Sequence, residues 1–188
     1  METRQAERSI RLILYNGVYL PNDEVRISYE DRGFYFGDGI YEVFRVYGGQ
    51  IYEKAAHLSR LQRSAQEIRI MLPYELDEID LMVEKLKQKE QIHDGTIYLQ
   101  ITRGIAPRSH LFPQHASPTL IAWCNAVERP VQAMKQGITA VTAPDIRWLR
   151  CDGKTLNLLP NTMAKQQAAD AGVEETIMHR DGIVTECR

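Results

Sequence analysis

No uninterrupted run of about 18 apolar residues, the length a helix needs to cross a bilayer, occurs in the chain. A membrane-spanning helix is therefore not expected. Charge of one sign is not in excess either, since Lys+Arg 23 against Asp+Glu 25 leaves a formal net charge of −2. Without a basic surplus there is no global footprint for nucleic acid or an anionic membrane, so any recognition of charge must be local. Cysteine is scarce. Cys124, Cys151 and Cys187 are an odd number set tens of residues apart, which makes neither a disulfide ladder nor a CxxC metal knuckle. A reducing cytoplasm fits that usage best. The opening residues METRQAERSIRLILYNG lack the apolar core of a secretory leader. Internal repeats and low-complexity tracts are absent as well. What is present is 188 residues, 44% hydrophobic and 26% charged, an ordinary globular composition with enough chain for one full domain or two small ones.

The stretch up to residue 52 reads as β hairpins. Asn16-Gly17 separates 12–15 from 18–20 and Gly48-Gly49 separates 40–47 from 50–52, and such dipeptides suit two-residue hairpin turns. Two helices are predicted next. Leu58, Leu61, Ala65 and Ile68 recur at helical spacing in the first, and Leu76, Ile79, Met82, Val83 and Leu86 do so in the second, from about Glu75 to Lys89, with Pro73 between the two. Alternation of Ile97, Leu99 and Ile101 predicts a half-buried strand over 96–102, with another over 119–124. A polar stretch, 125–137, reads as a linker. Beyond it a strand over 138–142, a helix over 160–171 closed by Gly172, and a hairpin of 176–179 with 183–186 are expected. The class is α+β, with a small N-terminal α/β domain over 1–128 and the first part of a second domain over 129–188. Because IVTECR stops inside a strand-like segment, the chain is expected to end within that second domain.

Charge is unevenly placed in one connection. Between Asp94 and Glu128 there is no acidic residue, while Arg103, Arg108, His110 and His115 all lie there, in a proline-containing loop over 103–118 longer than most connections. Arg108 offers a forked donor suited to a carboxylate and His110, two positions on, can add an imidazole N–H. The plainer alternative is a solvated basic loop. A metal site on His110 and His115 is weaker still, since no carboxylate or thiolate is near them in sequence. Lys154 follows Gly153 and precedes an apolar stretch, with Asp152 the only other charge between Cys151 and Ala164. Burial there would favour the neutral amine, the form that attacks a carbonyl to make a Schiff base. The alternative is an ordinary loop lysine ahead of a helix.

Other signals are slighter. Gly33-Phe34-Tyr35-Phe36-Gly37-Asp38-Gly39 is glycine-rich, yet no Lys-Ser/Thr ends it and no helix is expected after it, so it reads as aromatics packed around a tight turn and not as a phosphate loop. Tyr41 faces a pocket or packs in the sheet. Arg60 meets a phosphate or water. His57, His93 and His179 have no partner visible in sequence.

The ordered blocks YEDRGFYFGDGIYEVFRVY, HLSRLQRSA, YLQITRGIAPRSHLFP, DIRWLRCDGKTLNLLPNTMAKQQA and HRDGIVTE resemble the class IV, fold type IV aminotransferases that use pyridoxal phosphate, and most closely the bacterial D-amino-acid aminotransferases. The resemblance runs from about Tyr15 to Glu186. It implies that Lys154 holds the cofactor as a Schiff base and later shuttles a proton, that Glu186 sits by the pyridine nitrogen, and that Arg60 is a phosphate ligand. It further implies that Tyr41, Arg108 and His110 hold the substrate α-carboxylate, the loop crossing to the other subunit of a homodimer. The implied reaction is transamination between a D-amino acid such as D-alanine and a 2-oxo acid, 2-oxoglutarate or pyruvate, with no metal. Branched-chain L-aminotransferases and aminodeoxychorismate lyases share the fold, the lysine and the glutamate but not the Arg-Ser-His element, so Arg108 and His110 favour the D-amino acid. Pro160 departs from the small residue common in relatives, which a first-turn position tolerates. Relatives also run on past Glu186, where Cys187-Arg188 stand here. A truncated, non-catalytic product of the same gene type is the alternative expectation, one with little activity of its own.

Overall fold

The computed structural model describes residues 11–187; residues 1–10, which carry most of the segment read as leader-free, and Arg188 lie outside the described residues. Two sheets organise the chain. The first contains β1 (Leu12–Tyr15), β2 (Val18–Pro21), β3 (Gly39–Tyr47), β4 (Gln50–Ile51), β5 (Gly95–Thr102) and β6 (Thr119–Ala126), in the order β2-β1-β6-β5-β3-β4. All its neighbours are antiparallel. The second contains β7 (Ala140–Pro144), β8 (Glu175–Arg180) and β9 (Ile183–Cys187), with β7 and β8 parallel and β8 and β9 antiparallel.

Hairpin chemistry sets the turns. Asn16 and Gly17 have φ of 47° and 82°, Gly48 and Gly49 of 55° and 76°, and Asp181 and Gly182 of 48° and 79°. Positive φ at both central residues is what a two-residue turn needs if it is to match strand twist. Pleat alternation then sends Ile40, Phe44 and Val46 of β3, Ile97, Leu99 and Ile101 of β5 and Leu120, Ala122 and Cys124 of β6 into one core. Helices α2 (Lys54–Glu67) and α3 (Leu76–Lys89) contribute Leu61, Ala65, Ile79, Val83 and Leu86 to it. Each large side chain so buried contributes about 1.5–3 kcal/mol. Helix α3 starts at a reciprocal cap between Glu75 and Glu78 and ends with Lys87 and Lys89, charges that suit its dipole. In the second unit α5 (Leu159–Asp170) links β7 to β8, covers them, and buries Ala164 and Ala168.

The structure corrects three expectations. The glycine-rich segment is a short helix, α1 (Arg32–Phe36), because the Asp31 carboxylate accepts the Gly33 N–H at 2.8 Å and Gly37 closes the turn at φ 63°. The stretch read as a linker contains α4 (Val131–Gln136), entered at Pro130 and left at Gly137. The strand expected over 138–142 lies two residues further on, as β7.

One crossing between the sheets matters most. The first residues of β3 have β5 on one side, and on the other the segment Lys154–Leu156 takes the vacant edge. Tyr41 N–H donates to Lys154 O and Leu156 N–H to Gly39 O, both at 3.0 Å, around an Ile40–Thr155 bridge.

Candidate active site

That edge pairing fixes the backbone of Lys154, and Ser64 of α2 adds an anchor, its Oγ accepting the Lys154 N–H at 3.1 Å. The side chain lies over Tyr41, with Nζ 4.2 Å from the ring centroid. Tyr41, 6% exposed, stacks on Tyr98 at 5.6 Å, and Tyr98 on Trp123 at 4.3 Å. A stacked aromatic platform thus lies beneath the amine, and burial pushes the Tyr98 hydroxyl up to about 12. Lys154 is half-buried, between the buried amine and the ordinary loop lysine that its sequence context allows. The cavity beside it stays open, and a ring face is a favourable seat for its ammonium.

His57, Arg60 and Ser64 follow one another at three- and four-residue spacing, so they share the face of α2 turned to β3. The carboxylate of Glu42, fully buried on β3, meets two of them. Arg60 donates through Nε to Oε1 at 2.6 Å and through Nη2 to Oε2 at 2.7 Å, and His57 Nδ1 lies 2.7 Å from Oε2. Hydrogen bonding to Glu42 raises the Arg60 pKa further, so the guanidinium is permanently charged.

Glu186, on β9, is held by Arg147 Nη1 at 3.1 Å. Arg147 in turn donates through Nε and Nη2 to Asp145, at 3.0 and 2.9 Å. Thr185 Oγ1 donates to the same carboxylate at 2.7 Å. The hydrogen bond from Arg147, foremost, holds the Asp145 carboxyl well below the usual carboxylate range even though burial opposes it.

Lys154, Tyr41, Arg60 and Glu186 therefore border one cavity of about 170 Å³, walled also by Arg147, Trp148, Asn157 and Asn161. Arg108 and His110 are not in it. Both flank Phe36, each 5.3 Å from the ring, and Arg32 Nη1 donates to the carbonyl of the intervening Ser109 at 2.6 Å. His110 borders a second cavity that shares Trp148, Thr155 and Asn157 with the first. Reasoning from sequence missed Glu42, Asp145 and Arg147 and left His57 without a partner. A signal existed for Glu42, the one acid at an inward position of the pattern Ile40, Glu42, Phe44, Val46. None existed for the Asp145–Arg147–Glu186 chain, because its ends are 41 positions apart and meet only through the pairing of β7, β8 and β9. Among the described residues no group of three or more His, Cys, Asp or Glu side chains could hold a metal, and no helix is long and apolar enough to cross a membrane.

An amine, a guanidinium and a carboxylate thus border one small cavity. Residues 39–188 match the family model for amino-transferase class IV, and the chain belongs to that family. It is 43% identical over 175 residues to the D-alanine aminotransferase of Staphylococcus epidermidis, covering 93% of this chain and 62% of that one. To the D-alanine aminotransferase of Bacillus licheniformis it is 43% identical over 174 residues, with the same coverage. The chain thus spans 62% of the length of these curated relatives. The branched-chain amino acid aminotransferase from Escherichia coli superposes at a TM-score of 0.81 and 18% identity, over 95% of this chain and 61% of that one. A hypothetical aminotransferase from Mycobacterium tuberculosis, in a PLP-bound form, superposes at 0.77 and 24% identity, over 94% of this chain and 64% of that one. At these identities the likeness shows the fold, that of the fold type IV aminotransferases.

Proposed function

We propose that this chain carries the cofactor-anchoring part of a pyridoxal-phosphate-dependent transaminase acting on D-amino acids and 2-oxo acids. The observation that carries the reading is the convergence of Lys154, Arg60 and Glu186 on one cavity, from a loop, a helix and a strand. The donor set fits the cofactor group by group, with an amine for its aldehyde, a guanidinium for its phosphate and a carboxylate for its ring nitrogen. When bound, pyridoxal phosphate supplies an aldehyde that condenses with amines and a ring that withdraws electrons from the amino acid Cα. Glu186 would hold a proton at the ring nitrogen, and the Asp145–Arg147 pair keeps its carboxylate oriented. Arg60 would bind the phosphate as a fixed cation. Lys154 would hold the group at its aldehyde end, and its amine would accept and return the proton at the substrate Cα. Tyr41 seats that amine and limits its swing. The 43% identity to D-alanine aminotransferases supports the D-amino acid, with D-alanine and 2-oxoglutarate or pyruvate as the pair to try first.

Arg108 and His110 are read as the clamp for the substrate carboxylate. They stand away from Lys154 in their own chain, and the outward-facing loop that carries them supports a homodimer in which each loop serves the other copy's cavity. The division at residue 128, between the six-stranded sheet with its helices and the unit behind it, belongs to the same reading, as does a cytoplasmic setting. The direct test incubates the chain with pyridoxal phosphate, reduces with borohydride and maps the label by mass. A visible band that borohydride removes, with the pyridoxyl group on Lys154, is the expected result. Label spread over surface lysines, and unchanged in Lys154→Ala, would refute it.

A further inference from the structure

We infer that Glu42 is a positioning residue for the phosphate end of this site, acting through Arg60. The inference rests on the cofactor reading above and deepens it. Arginine is a poor fixed cation when left to itself, because its long side chain loses rotamer freedom when it is held. The Arg60 side chain is 39% exposed on α2, so packing alone does not fix its guanidinium. What holds it is a two-point fork onto a carboxylate with no exposed surface. That carboxylate is fixed in turn by the strand that carries it and by His57, whose ring packs 5.1 Å from Phe44. The fork uses Nε and Nη2. Nη1 lies outside the pair, on a side chain that borders the cavity. A charge placed inward in a strand whose other core-facing residues are Ile40, Phe44 and Val46 is costly to bury unless it is paired and hydrogen-bonded. Here it sets the plane and direction in which Arg60 meets an anion.

Glu42 also subtracts charge from Arg60, so its removal has two opposite consequences. Loss of direction weakens phosphate binding, and loss of the negative neighbour strengthens it. The second effect is screened at a guanidinium open to solvent, whereas the first removes a charge-assisted fork, so weakening wins.

The test compares pyridoxal phosphate with pyridoxal, which lacks only the phosphate. Dissociation constants are measured by absorbance titration of the full chain and checked by borohydride trapping at Lys154, for the wild type, Glu42→Gln and Glu42→Asp. Circular dichroism establishes the folded fraction of each. Glu42→Gln keeps the shape and loses the charge; Glu42→Asp keeps the charge and withdraws it by one methylene, which serves if the glutamine variant folds poorly. Both variants should weaken pyridoxal phosphate binding about tenfold or more, and pyridoxal binding less than about twofold. Equal weakening for the two aldehydes would make Glu42 merely structural and overturn the inference, as would tighter or unchanged phosphate binding. A wild type that labels at Lys154 with neither aldehyde fails the cofactor reading itself, which is a different result.

Discussion

Asp38→Asn should be among the most destabilising single substitutions in this chain. Asp38 sits where β3 begins and accepts from two buried arginines, Arg32 Nε at 2.7 Å, and Arg103 through Nε at 2.8 Å and Nη2 at 2.9 Å. The side chains are 10%, 3% and 8% exposed. Arg103 also donates to the Ile68 and Arg69 carbonyls, and Arg32 to Ser109 O, so one carboxylate neutralises the two cations that tie the 103–118 loop to α1 and to the end of α2. An asparagine in its place would keep the volume, remove the charge and present N–H donors to guanidinium donors. Breaking a buried pair by losing one partner costs about 3–5 kcal/mol, because the remaining charge stays buried. For a chain of this size about 2–4 °C of Tm follows each kcal/mol, so a fall of about 6–20 °C is expected in a thermal melt.

Two comparisons isolate the cause. Asp152→Asn breaks an exposed pair with Arg150 and should leave the melt unchanged. The double variant Asp38→Asn with Arg103→Met should lose less than the sum of its parts, since the second change removes a charge the first left stranded. Acid adds a sign. Burial alone would raise the Asp38 carboxyl, but the hydrogen bonds and charges of Arg103 and Arg32 outweigh it and hold its pKa below the ordinary value. A depressed carboxyl contributes stability that is fully present above the unfolded pKa, about 3.9, and lost as pH falls through the lower folded value. The wild type should therefore shed stability on acidification below about pH 4, and Asp38→Asn should show a shallower acid limb. If Asp38→Asn melts within about 1 kcal/mol of the wild type, or its acid limb is unchanged, the clamp does not hold the loop and the reasoning fails.

Other perturbations have equally definite outcomes. Arg108→Ala and His110→Ala should raise KM for the amino acid about tenfold or more while the Lys154 label forms normally; loss of the label would give them another role. Mixing Arg108→Ala chains with Lys154→Ala chains should restore about a quarter of wild-type turnover if each loop serves the other copy, because half of randomly paired dimers carry one intact site of two. No recovery refutes the crossed arrangement. A thiol reagent at pH 8 should modify the exposed Cys151 and Cys187 quickly, and Cys124 only on unfolding, since burial pushes its thiol up to about 12; three fast adducts by mass would contradict the core packing. Gly104→Ala should cost more than about 1 kcal/mol in a urea melt, because φ is +97° and a Cβ would stand 1.9 Å from the Ser117 carbonyl oxygen.

Local patterns carried most of the fold. Dipeptides such as Asn16-Gly17 and Gly48-Gly49 dictate their own backbone, and the alternation of Ile97, Leu99 and Ile101 survives any tertiary context that buries one face. Helix α1 was illegible because five residues offer too little periodicity, and only the Asp31 and Gly37 caps, 31 and 37 being six apart, mark its ends. Helix α4 failed for the same reason in a stretch with no buried face.

The site divides along a different line. Lys154 stood out by its sequence context, whereas Arg60, Tyr41 and Glu186 owed their roles to the family resemblance; the four share a cavity, and what holds them there is the set of groups behind them. Ser64 fixes the Lys154 backbone, Glu42 with His57 fixes Arg60, and Asp145 with Arg147 fixes Glu186. Apart from His57, which shares α2 with Arg60, each of these supports comes from another part of the chain, so only the fold brings it in. The supports are also better buried than the residues they hold: Glu42 and Asp145 have no exposed side-chain surface, whereas the Arg60 and Glu186 side chains are 39% and 34% exposed. A ligand must reach the outer group, while the inner one must not be solvated away from it. Direction is therefore built from the core outward, and a substitution at an inner carboxylate should alter how a cation or acid is aimed before it alters whether one is present.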